Sequence, residues 1–240
     1  MPDHIHTIPV LDALRNPGNC AFCVMRSKVE RDAVQFIMGP AYMEDDVRMD
    51  TNQVGFCDAH LEAMYAEQNR LGLALMLHTH LQLLNKDMAA IVKNKLPAPF
   101  FGKDTNGPLT KLRGHLDKTN ASCYVCNSIE RTFTRYVGTF LYLWGKGGED
   151  AGLIKSQKGY CIPHFAVLLA EAESLGRSKR DKFLEEIVQP QLKHMKELEE
   201  DLEWFAIKFD YRYANEPWKN AKDALPRALA MMGVKEGVAK

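Results

Sequence analysis

The cysteines and histidines of this chain follow one spacing pattern, written twice. The first run is C-A-F-C at 20–23 and G-F-C-D-A-H at 55–60. The second is C-Y-V-C at 123–126 and G-Y-C-I-P-H at 159–164. In each, 33 or 34 residues separate the C-x2-C from the next cysteine, and none of the 6 cysteines falls outside the pattern. C-x2-C presents two sulfurs from one short turn. C-x2-H does the same at i, i+3 on one helical face. Each pair alone offers two donors; two pairs close a four-donor shell of three Cys and one His, the closed, structural type of zinc site. Read in chain order, the spacing predicts one site from Cys20, Cys23, Cys57 and His60 and another from Cys123, Cys126, Cys161 and His164.

The register of the two runs predicts an internal repeat. Cys20 maps to Cys123 with an offset of 103, and Cys57, His60 and Leu71-Gly72 map to Cys161, His164 and Leu175-Gly176 with an offset of 104. A shift kept through every donor position is the signature of one unit present twice.

Each long gap must then bring its ends together, and helical hairpins do so. Apolar residues at 25, 29, 33/34 and 36/37 predict a helix over 24–38. Gly39-Pro40 ends it, and 41–53 returns. The second copy predicts a helix over 124–144, a turn at 145–148 and a short return. Pro163 suits the first turn of a further helix. Helix is expected over 61–93, interrupted at Leu71-Gly72. Another is expected from a capping-box-like start at Ser178–Asp181 to Phe209, bent near Pro190. Its apolar stripe reads Val188, Leu192, Met195, Leu202, Phe205 and Phe209. No segment alternates like a strand. The expected fold is all-α, an internally duplicated bundle in which each half is a helical hairpin plus a long helix clipped by a metal site. The expected organisation is a first repeat over 1–94, a connector over 95–120, a second repeat over 121–209 and a docking tail over 210–240.

A chain of 240 residues, 46% hydrophobic, has enough apolar surface for a proper core. Its 31 basic residues equal its 31 acidic ones, so no general charge draws it to nucleic acid or anionic lipid. The N-terminus lacks a basic, apolar leader, and no stretch reaches the roughly 18 apolar residues of a membrane span. The expectation is a cytoplasmic protein with reduced thiols, where clustered cysteines bind metal or do redox work. Ser-His-Asp, phosphate-loop and H-E-x-x-H signatures are missing, so a binding or scaffold role for an unknown protein or small-molecule partner is favoured over catalysis.

With its G-[FY]-C-x-x-H repeats and a tail of K-F-D-Y-R-Y (208–213), E-P-W (216–218) and D-A-L-P-R-A (223–228), nearly the whole chain resembles a prokaryotic family catalogued only as a domain of unknown function. The resemblance implies a metal-binding helical protein with all eight donor positions filled. In the tail, Lys208, Asp210, Tyr211 and Arg212 carry two readings: a capping segment docked by Trp218, or an anion- or ligand-binding corner with Arg212 as its fork.

Three Cys and one His suit Zn2+ directly, in two sites. An iron–sulfur cluster in a redox protein or oxidoreductase subunit is the alternative, although clusters usually take four cysteines. A thiol–disulfide motif would want a βαβ setting and leaves the C-x2-H pairs unexplained. His78 and His80 point to different helix faces and read as one exposed and one packed histidine. His115 and His194 are isolated, and His4 and His6 sit in a terminus expected to be mobile.

Overall fold

Helix period dominates from the first buried residues onward. Phe22, Met25, Val29, Val34 and Ile37 are all buried along one helix, at steps of three to five residues that keep them on one half of its surface. Val125, Ile129, Phe133, Tyr136, Val137, Phe140 and Trp144 do the same along another. The computed structural model describes residues 4–16, 20–93 and 107–234, and these contain no strand. The helices are α1 (His4–Leu14), α2 (Ala21–Met38), α3 (Asp45–Val54), α4 (Asp58–Ala66), α5 (Arg70–Lys93) and α6 (Pro108–Asn120). They continue as α7 (Tyr124–Lys146), α8 (Gly148–Lys155), α9 (Ile162–Ala172), α10 (Arg177–Phe183), α11 (Gln189–Ile207) and α12 (Ala224–Met231). The all-α expectation holds.

The chain forms two compact units. One comprises Met1–Ser27 and Phe133–Lys240, the other Lys28–Thr132. The boundaries fall within α2 and α7. In the continuous unit α3 packs on α5, and Arg48 ties them by donating to the Leu75 carbonyl and the Thr79 hydroxyl at 3.3 and 3.2 Å. Met64 and Met76 fill its core. In the discontinuous unit an aromatic cluster forms the centre, with Phe22 4.9 Å from Phe140 and 5.4 Å from Tyr160 between ring centroids. α1 packs on α8 there.

Several local expectations are corrected. The N-terminal segment is helix α1 with Val10, Ala13 and Leu14 buried, and the His6 ring lies 5.6 Å from Tyr136. The side chain of His4 lies outside the described residues. So does the first part of the expected connector, 95–106, while its remainder is largely helix α6. The break expected at Leu71-Gly72 falls at 67–69, between α4 and α5. Asn69 makes it: its Oδ1 accepts from the Gly72 N–H at 3.0 Å while its Nδ2 donates to the Met38 carbonyl at 2.8 Å. Asparagine is a strong cap, and it outweighs the glycine three residues on.

The capping box at Ser178 is not formed. Gly176 is the N-cap of α10 and makes no side-chain cap bond. The bend near Pro190 is a π turn over Leu184–Val188, with Pro190 in the first turn of α11. One wider turn absorbs the missing N–H and the ring's clash with the preceding turn. The fully buried side of this segment is Ile187, Gln191 and Leu198; of the expected apolar stripe Val188, Met195, Leu202 and Phe205 are half-buried, while Leu192 and Phe209 are 50% and 76% exposed. Periodicity missed that face because one of its anchors is a polar glutamine.

Candidate metal centres

Each C-x2-C or C-x2-H pair starts a helix in the same way. Cys57 and Cys161 are the N-caps of α4 and α9, and His60 and His164 follow in their first turns. Cys20 and Cys123 directly precede α2 and α7, which carry Cys23 and Cys126 in their first turns. All eight donors therefore sit where unpaired backbone N–H groups and the helix dipole favour negative sulfur. Pro163 occupies the first turn of α9, as expected.

The four pairs close crosswise. Cys20, Cys23, Cys161 and His164 form one group and Cys57, His60, Cys123 and Cys126 the other, the donor atoms within each lying within 4.8 Å of one another. The expectation that each run closes its own site is thus overturned: the C-x2-C of one run meets the C-x2-H of the other. Spacing alone dictates which two donors share a turn. Which turns meet is decided by packing, and each group lies wholly within its own compact unit.

In the discontinuous unit His164 Nδ1 lies 3.2 Å from Cys161 Sγ, 3.3 Å from Cys23 Sγ and 3.9 Å from Cys20 Sγ, and Cys23 and Cys161 are 3.5 Å apart. In the continuous unit His60 Nδ1 lies 3.1, 3.4 and 3.3 Å from the sulfurs of Cys57, Cys123 and Cys126, and Cys57 is 3.9 Å from Cys126. All six cysteines are free thiols. A tetrahedron with Zn–S near 2.3 Å has edges of roughly 3.5–4 Å, so both groups have the size of a single-ion shell.

Within each group the thiols perturb one another strongly. Hydrogen bonds from Cys161 and Cys23 hold the Cys20 thiol far below its ordinary range, and the contacts with Cys161 and Cys20 push Cys23 far above it. Burial works against the charge on His164, but the sulfurs of Cys161 and Cys20 outweigh it and raise the imidazole to about 9. In the other group burial opposes ionisation of Cys123, yet the Cys126 N–H and Cys57 bring it down, while burial and then Cys123 push Cys126 up to about 12. Once one thiolate forms, its neighbour resists ionising. A bound divalent ion removes that conflict, and either group could hold one.

The turns ahead of the C-x2-H pairs explain their glycines. Gly55 has φ +69°, and a Cβ there would meet His80 Cε1 at 2.8 Å. At Gly159 a Cβ would meet His194 Cδ2 at 2.7 Å and Gln191 Oε1 at 3.0 Å. In each unit a histidine from a following helix rests on the turn, which only glycine allows. His80 Nδ1 is also 2.7 Å from the Asn52 carbonyl oxygen. Gln191, 1% exposed, accepts from the Tyr160 N–H at 2.7 Å and donates to its carbonyl at 2.9 Å. The Tyr124 N–H donates to the Gly55 carbonyl at 2.9 Å and ties the other pair together. Behind His60, its Nε2 faces Glu30 Oε1 at 3.5 Å. The sequence reading missed Glu30, Gln191 and the packing of His194; the repeated glycine was the signal that something pressed on each turn. His78 is exposed and His80 packed, as expected.

A family profile matches residues 1–237. The chain belongs to that family, DUF6062, a family of unknown function. The resemblance read from the sequence thus leads to an uncharacterised family. No curated protein and no solved structure matches the chain.

The tail residues contact one another and the backbone. Lys208, 8% exposed, donates to the carbonyls of Tyr213, Ala214 and Glu216 at 2.7, 2.8 and 2.6 Å. Asp210 caps the 3-10 turn at Tyr211–Tyr213 and pairs with Arg212 at 2.6 Å. That contact holds Asp210 below the usual carboxylate range. Tyr211 is 86% exposed, and Trp218 packs 5.8 Å from Phe205.

Proposed function

We propose that this is a metal-clipped helical scaffold in which each group of three Cys and one His holds one Zn2+, and whose surface serves a protein or small-molecule partner in the cytoplasm. The observation that carries the reading is the mutual approach of four donor atoms in each unit to within 4.8 Å. Three thiolates and an imidazole are a zinc set, and four protein donors leave no position for a reacting water. A cluster spreads its ligands over several irons, whereas donors this close suit one ion. The kept register of the two runs supports an internal repeat whose copies exchange partners. Among the described residues no helix is long and apolar enough to cross a membrane.

Metal analysis of protein purified without oxygen tests this. Colourless protein with about two zinc ions per chain is expected. Brown protein with broad visible absorption and bound iron and sulfide would replace the scaffold by the redox reading.

A further inference from the structure

The two sites are alike in donors but differ in surroundings. In the continuous unit His60 and Cys123 are 5% and 4% exposed, and the outer nitrogen of His60 is buried without a hydrogen bond, with the Glu30 carboxylate poised 3.5 Å away. A carboxylate behind a metal-bound imidazole fixes its ring and raises its basicity. In the discontinuous unit Cys161 is buried as deeply, at 3% exposed, but it and Cys20 line a cavity of about 800 Å³, together with Lys158, His194, Asp223, Arg227 and Ala230. Lys158 precedes Gly159 where the other run has Val54 before Gly55. Arg227 is fixed by Asp201 at 2.9 Å and Asp223 at 3.0 Å. His194 makes no hydrogen bond among the described residues, and a second cavity that it also lines adjoins the first, with Lys193 and Lys222 but also Glu197 and Glu200 on its walls.

We propose that the two metal sites are inequivalent: Cys57, His60, Cys123 and Cys126 form a closed clip positioned by Glu30, while Cys20, Cys23, Cys161 and His164 form an exchangeable centre, entered through the adjoining cavity by a small anionic soft-donor molecule. This rests on the metal reading above. The class of visitor follows from the chemistry. A thiol-bearing anion matches zinc by its sulfur and matches the Lys158 ammonium by its charge. Exchange balances without a redox step: the entering sulfur bonds to the ion, the Cys20 sulfur leaves it, and the thiol proton passes to the departing Cys20.

The test uses full-length protein loaded with two zinc ions and challenged with a chromogenic zinc chelator, with and without glutathione as the soft-donor probe. Release in two phases of one ion each is expected, separated by about tenfold or more in rate, with glutathione speeding only the fast phase. Cys161→Ser removes the fast phase. Ala230→Trp, which fills the cavity without touching a donor, slows it. Glu30→Gln weakens the slow site by about 10- to 100-fold and shifts the cobalt(II) absorption of that site alone; a purely structural Glu30 would leave the band in place. Two ions leaving in one phase, or a fast phase unchanged by Ala230→Trp, overturns the proposal and leaves the zinc reading standing. Protein that holds no metal overturns both.

Discussion

Cys23 and Cys161 are 138 positions apart in the chain and 3.5 Å apart at their sulfurs. That contact makes pairing testable with double substitutions. Cys20→Ser combined with Cys161→Ser should cost about one metal ion per chain, because both belong to one shell. Cys20→Ser combined with Cys57→Ser should cost about two. Metal content measured by mass spectrometry decides it, and the opposite result would restore chain-order pairing. The glycines before the aromatic residues make a second prediction. Gly55→Ala adds a Cβ at positive φ beneath His80 and should destabilise by about 1–3 kcal/mol in chemical denaturation. Trimming the ring in a Gly55→Ala, His80→Ala double variant should recover only the steric part. All eight residues of the two Cys/His groups were legible in the sequence, because each one's local partner is set by the three-residue step along one helical turn. Their grouping was not, because two gaps of nearly equal length give no preference for one closure over another.

Among the elements, α11 does more than fill space. Its Gln191 holds both backbone groups of Tyr160, one residue before the donor Cys161. Gln191→Ala would leave a buried N–H and C=O unsatisfied and should cost about 2–4 kcal/mol. The same change should loosen metal in the discontinuous unit alone, read as faster release of one ion. The helices themselves were legible wherever apolar residues recur at three and four, as along α2 and α7. Legibility failed where a polar residue decides the structure. Asn69 moved a helix start, and Gln191 turned the fully buried face of α11 away from its apolar stripe. In the tail, three carbonyls surround the Lys208 ammonium, an arrangement that a hydrophobic pattern cannot announce. α1 went unread because Pro9 sits inside it, where proline ordinarily argues against helix.

For the whole molecule, metal loss should be reversible and acid-driven. Protons compete with the ion for thiolate and imidazole, so affinity falls as pH drops, and titration from about pH 8 to about pH 5 should release both ions. Restoring the pH with zinc present should restore them. Helical circular dichroism should largely survive chelation at room temperature, since aromatic and aliphatic cores remain in both units; complete loss would mean that the ions supply most of the folding energy. The residues Lys28–Thr132 are continuous and contain one whole donor group. Expressed alone, they should bind about one zinc ion, whereas residues 1–94 should bind none tightly.

The crosswise pairing also places one closure inside the other, like brackets within brackets. Contacts of the inner group span 63 to 69 positions and those of the outer group 138 to 144. Equilibrium hardly distinguishes the two spans, since doubling a loop adds only about 0.6 kcal/mol of closure entropy. Synthesis distinguishes them sharply. A chain leaving the ribosome completes its inner donor set at Cys126, while Cys20 and Cys23 stay open until His164 emerges. During that interval the first two thiols made are the last to be satisfied, and they are the pair most exposed to oxidation or to a borrowed ligand. Slowing translation between residues 126 and 164 under oxidative stress should therefore damage Cys20 and Cys23 before any other cysteine, a bias that peptide mass mapping would read directly.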